Sequence, residues 1–221
     1  MTQRFVDSVN GIATVRVTST KQAGTLTITG TSTGLFTGTT QLISLCGEVR
    51  KLRVTQEPAG VITADGNTTV NIRTELFDIN DNAVTQTGTE VAYTLTAGAA
   101  ATWLDGTTES TYAVTTDGMA TVKLKSKTGV GTATVSCWTA GTSTQAITVQ
   151  TVAGPASKLT VNSSQLTVAA DAASTVVLTA RVSDVNGNLV VSAVEPVTFS
   201  MTGKGVWSSN GSITDKSVPV V

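Results

Sequence analysis

No histidine occurs anywhere in the 221 residues. That absence removes Ser-His-Asp and Cys-His nucleophilic catalysis together with the commonest metal ligand, so an enzyme built on this chain would have to work with carboxylates. Charge is sparse as well: 14 basic residues against 15 acidic ones, with no run of either sign. The electrostatic footprint of a nucleic-acid binder or of a basic membrane-surface segment is therefore missing. The opening MTQRFVDSVN has no apolar core of the kind a leader needs, and no stretch approaches eighteen apolar residues, so neither a secretion signal nor a membrane span is expected within these residues. If the protein is exported, the signal lies outside them.

What the chain does contain is β-branched residue. Thr and Val number 44 and 30, about a third of the total, and both favour a pleated, half-buried surface over a helix. The sequence also repeats itself. GIATVRVTST at Gly11 returns as GMATVKLKSK at Gly118, an offset of 107, and KLRV at Lys51 returns as KLTV at Lys158 at the same offset. DINDNAV at Asp78 returns as DVNGNLV at Asp184, an offset of 106. Such a period is too long for a helical solenoid and fits a complete small β-sandwich, so a tandem array of one module is expected.

Within the matched segments apolar and polar residues alternate at period two. Val70, Ile72, Thr74 and Leu76 share one face while Asn71, Arg73 and Glu75 share the other, and Val176, Leu178, Ala180 and Val182 fall at the same places in the next copy. Val91, Tyr93 and Leu95 recur as Val197, Phe199 and Met201; Ala13, Val15 and Val17 recur as Ala120, Val122 and Leu124. All of these are expected in a core. The succession KLTV, ADAASTVVLTARVSDVNGNLV, VTFS and GVWSSNGS, completed by TDGMATVKLKSKTGVGTATVSC, resembles the bacterial Ig-like modules of group 1, which form the stalks of invasin- and intimin-type adhesins. The resemblance covers essentially the whole chain. It implies an all-β protein of tandem Ig-like β-sandwich modules, and such modules serve as spacers in many surface and phage-tail proteins.

In the frame of that family a module begins just before the KL-x-V strand. Residues 1–46 are then the C-terminal part of one module, 47–153 a complete module, and 154–221 the N-terminal part of a third. The repeat alone also admits two complete, permuted modules. The links CGEVR and VAGPAS are short, and Pro155 cannot donate to a sheet ladder, so modules are expected to join with little slack.

Each candidate for chemistry has a plainer structural reading. Asp78, Asn80 and Asn82, with Asp184, Asn186 and Asn188 in the next copy, begin like a calcium loop, because a hard cation wants several oxygens close together. The loop lacks the later Gly and Glu of such a site, and Asx residues are the default formers of a bend, so a turn is expected and no metal is assigned. Asp81 stands where the later copy has Gly187, which leaves the turn type open. CGEV at Cys46 lacks the Gln of a thioester, having Val49 instead. Cys137 lies on an inward alternation, where a thiol behaves as a small apolar group; two free thiols are preferred to a disulfide, which stays open. Trp103 and Trp207 occupy equivalent places and read as packing residues. Trp138 falls outward and is the candidate for contact with a neighbouring module or partner. Asn67, Asn162 and Asn210 match the N-glycosylation pattern, which in a bacterial or phage setting marks only polar surface.

No enzyme and no cofactor are therefore expected. The preferred function is a structural stalk or spacer on a cell or virion surface, its partners the neighbouring Ig-like modules, copies of the same chain included, with head-to-tail assembly by completion of split modules. The alternative is a receptor- or glycan-binding Ig-like module, which should concentrate aromatic and charged residues on the loops of one copy. Aromatics are only 4% of the chain, and its loops are Gly, Thr and Asn.

Overall fold

A computed structural model describes residues 4–96, 98–108, 110–194, 196–207 and 216–218, so the Asn210 pattern lies outside the described residues. The N-terminal segment holds a hairpin of β1 (Gly24–Gly30) and β2 (Gly38–Ser44). The central segment holds β3 (Lys51–Glu57), β4 (Ile62–Thr63), β5 (Thr69–Phe77), β6 (Glu90–Leu95), β7 (Ala101–Trp103), β8 (Thr111–Val114), β9 (Met119–Ser126), β10 (Gly131–Trp138) and β11 (Gln145–Val152). Beyond it come β12 (Lys158–Ser163), β13 (Leu178–Ser183), β14 (Val197–Phe199) and β15 (Lys216–Val218).

The central strands form two sheets, one ordered β3-β5-β9-β7 and the other β4-β11-β10-β6-β8. The alternation of β5 is realised: Val70, Ile72, Thr74 and Leu76 are all buried, and so are Ala120, Val122 and Leu124 opposite them on β9. Facing them from the other sheet are Val91, Tyr93, Val135, Cys137 and Val149, in one apolar cluster. Trp103 is buried in it and meets the Tyr93 ring edge to face, centroids 6.4 Å apart at 74°, an arrangement that complements the ring quadrupoles. On the outer face Arg73 pairs with Glu57 at 3.2 Å and Glu75 at 2.8 Å, contacts that exposure makes weak. The two thiols are free: Cys137 sits in the core, and Cys46 packs half-buried against it.

Glycine is demanded at one turn above all. Asp117 and Gly118 both have positive φ, 48° and 75°, the mirror-image turn whose twist suits a hairpin. Thr116 and Met119 close it with reciprocal backbone bonds of 2.9 and 3.0 Å. Asn10 and Gly11 repeat the turn in the N-terminal segment, with φ of 53° and 78°.

The flanking segments depart from expectation. Residues 13–19, the copy of β9, form no strand, and Val15 and Val17 are 46% and 47% exposed where Val122 and Leu124 are 9% and 0% exposed. Val176 and Leu178 are likewise exposed, although Val70 and Ile72 at the same places are buried. In neither flank do the described strands build the two multi-stranded layers of the central module: β1-β2, β12-β13 and β14-β15 are each two-stranded sheets. An alternating strand is buried only if a second sheet covers it.

Candidate functional site

The repeated Asp-x-Asn-x-Asn loop lies where the segments meet. It follows directly on the strand β5 or β13, and the short stretch before β3 or β12 passes over it. At the second junction, between the central and C-terminal segments, Asp184 Oδ1 accepts the backbone N–H groups of Asn186 and Asn188, each at 2.9 Å. Its Oδ2 accepts the Gly154 N–H at 2.9 Å and the Asn188 side-chain amide at 2.8 Å. The same amide donates to the Thr128 carbonyl at 2.7 Å, and Asn188 Oδ1 accepts the Val130 N–H at 3.3 Å. Asn186 donates to the Ala64 carbonyl at 3.1 Å. One loop of the C-terminal segment thus grips two stretches of the central module, at Ala64 and at Thr128 with Val130, and the link residue Gly154 between them and β12.

The first junction, between the N-terminal segment and the central module, reproduces this one repeat earlier. Asp78 accepts from Asn80 N–H, Asn82 N–H, Gly47 N–H and the Asn82 side-chain amide at 2.8 to 2.9 Å. Asn82 donates to the Lys21 carbonyl at 2.8 Å and accepts from the Ala23 N–H at 2.8 Å. Lys21, Ala23 and Gly47 precede Thr128, Val130 and Gly154 by 107 residues. Asn82 and Asn188 therefore make the same inter-segment contacts, and Asp78 and Asp184 the same bonds to the link glycines.

These bonds explain the ionisation of the loop. Asn82 and then Gly47 stabilise the ionised Asp78 carboxyl, and Asn188 with Gly154 does so for Asp184, holding each at about 2. The donor set speaks against a cation. Each carboxylate receives four N–H groups, and N–H protons converge where a metal would need lone pairs. Asp81 resolves the question of turn type: its φ is +66°, in the same left-handed region as the +88° of Gly187. Asp is among the few side chains that tolerate that region, so the loop keeps its shape despite the substitution.

Trp138 lies elsewhere, at the end of β10. It stands opposite Ala92 of β6, which stands opposite Tyr112 of β8. Trp138 and Tyr112 are 37% and 58% exposed and flank the 7% exposed Ala92, about 10 Å apart across two strand spacings. Tyr112 was not signalled by the sequence, because the pairing of β6 with β8 is needed to put it in that row. Among the described residues no cluster of three or more His, Cys, Asp or Glu could hold a metal ion.

Residues 49–154 match the family model described as invasin, domain 3. This segment is an invasin-type Ig-like module. Its bounds fall at the two junctions, within the stretches that cross Asp78 and Asp184. No curated protein matches the chain. Among solved structures, invasin, titled a bacterial integrin-binding protein, is 20% identical over 77% of this chain and 33% of its own, with a TM-score of 0.40. A glycosyl hydrolase family 2 member from Bacteroides cellulosilyticus is 24% identical over 58% of this chain and 17% of its own, TM-score 0.42. A β-glucuronidase of the same family is 21% identical over 59% and 14%, TM-score 0.42. The chain thus spans a third of invasin and less than a fifth of these glycosidases. No helix among the described residues is long and apolar enough to cross a membrane.

Proposed function

We propose that the chain is a non-enzymatic stalk or spacer of invasin-type modules on a cell or virion surface, in which the Asp-x-Asn-x-Asn loops hold successive modules at a fixed angle. The observation that carries this reading is the duplication of the junction: Asn82 and Asn188 each clasp a backbone N–H and a carbonyl of the preceding segment. A spacer transmits reach only if its joints resist bending. A joint with several directional bonds and a short link resists better than a flexible tether.

Small-angle X-ray scattering on the chain at low concentration tests the reading. An extended particle of defined length is expected, and Asp184→Ala combined with Asn188→Ala should give the scattering of freely hinged units while the central module melts unchanged. A wild-type chain that already scatters as freely hinged units would overturn it. The row of Trp138, Ala92 and Tyr112 supports a second reading, a receptor- or glycan-binding module. Binding of a glycan by the chain, lost in Trp138→Ala, would favour that reading.

A further inference from the structure

We propose that the open edge of β8 takes up an extended segment of a partner protein by strand addition, the segment carrying a basic residue two positions from an aromatic or large apolar one. The inference deepens the receptor-binding reading by naming its partner, and every residue it uses lies in the complete central module. β8 ends the sheet β4-β11-β10-β6-β8 and pairs, among the described strands, with β6 alone. Thr115 donates its N–H to the Thr89 carbonyl at 2.9 Å, so by the alternation of an antiparallel ladder Thr111 and Ala113 turn their backbone groups toward β6. The N–H and C=O groups of Tyr112 and Val114 then point to the open side. Four backbone groups at strand spacing form a template that another strand matches.

The other edges of the two central sheets are guarded. β3 carries Lys51, Arg53 and Glu57, and β4 and β7 are two and three residues long. β8 reads TYAV, with neither charge nor proline, and its outward side chains Tyr112 and Val114 are 58% and 60% exposed. An edge of that composition pairs unless something blunts it.

Side chains beside the edge state the chemistry of the occupant. An incoming strand extends two rows across the sheet: one runs Trp138, Ala92, Tyr112, and the other runs Glu90, Val114. A residue added beyond Tyr112 meets an aromatic ring, which favours an aromatic or large apolar side chain. A residue added beyond Val114 stands about 10 Å from Glu90 across two strand spacings, within the combined reach of an Arg and a Glu side chain. Glu90 is the one charged residue among the described strand positions that point outward from this sheet, and it is exposed. None of the ion pairs among the described residues uses it. A basic residue beyond Val114 gains that carboxylate and lies diagonal to the Tyr112 ring, in position for a cation–π contact. The complementary charge is positive, and the four backbone groups assign it to a peptide.

Peptide binding to the whole chain tests this. The probe is a short synthetic Thr-rich peptide with Arg and Phe separated by one residue. On titration the Tyr112 and Val114 amides should gain protection from exchange. Glu90→Gln should weaken the Arg peptide about threefold and leave a peptide with Gln in place of Arg unchanged. Val114→Pro should abolish binding, the melting of the central module serving as folding control. A second control leaves the protein untouched: N-methylation of the peptide at Arg and Phe, whose N–H groups face β8, should abolish binding, and N-methylation of the residue between them should not. No protection of Tyr112 and Val114 at millimolar peptide, or equal binding of both methylated peptides, would overturn the proposal. Association of the chain with itself through this edge, lost in Val114→Pro, would also overturn it by giving the edge to a second copy. Glycan binding lost in Trp138→Ala with no protection of the β8 backbone would overturn strand addition and leave the binding-module reading standing.

Discussion

At the scale of the residue, backbone geometry and hydrogen-bond stoichiometry decide what can be changed. A Cβ on Gly118 would lie 2.0 Å from the Val84 carbonyl oxygen, on a residue whose φ is already +75°. Gly118→Ala should therefore destabilise the central module by more than about 1 kcal/mol, read as a lowered melting temperature. The junction aspartates carry a pH dependence whose sign follows from their depressed ionisation. Asp78 and Asp184 sit at about 2 in the folded chain, below the ordinary value of about 3.9. The stability they lend is thus present above the ordinary value and lost as pH falls through the folded one. Both junctions should hold at pH 5 and loosen between about pH 4 and pH 2. The Gly47 and Gly154 amide resonances report this directly, and Asp184→Asn should remove the transition at Gly154 alone.

At the scale of the element, period-two alternation told correctly which face each strand presents, but not whether anything covers it. Val122 is 9% exposed within the core, whereas Lys123 faces outward opposite Asn71. Val122→Asp buries a charge without a partner, which costs several kcal/mol and should unfold the module. Lys123→Asp should shift stability by under about 1 kcal/mol. Thermal melts of the two variants separate the faces, and equal damage from both would contradict the assignment. The same rule read on residues 12–19 predicts a buried strand, yet Val15 and Val17 lie exposed, and none of the described strands pairs along them. The two segments GIATVRVTST and GMATVKLKSK keep one turn and one pattern, and only one of them is a strand.

At the scale of the whole molecule, the junctions turn a string of sandwiches into a jointed object. Their specificity comes from side chains that a local reading assigns to a bend. Asp78 and Asn82 do form that bend, and the sequence signal for it was sound. The contacts to Lys21, Ala23 and Gly47 join positions 31 to 61 residues apart. No local periodicity encodes such a pairing, although the recurrence of Asn82 as Asn188 beside the equally recurrent short link was a visible hint. By itself the sequence determined the all-β class, the module, its period and the inward residues of the central module, because strand alternation and turn chemistry are local and each is written twice. The tertiary structure alone decided which alternating strands are covered, which carboxylate oxygens are spent on N–H groups, and which residues of the central module each flanking segment contacts. Those outcomes depend on which distant segments are brought together, and a strand can bury its apolar face only against a partner that the fold places within reach.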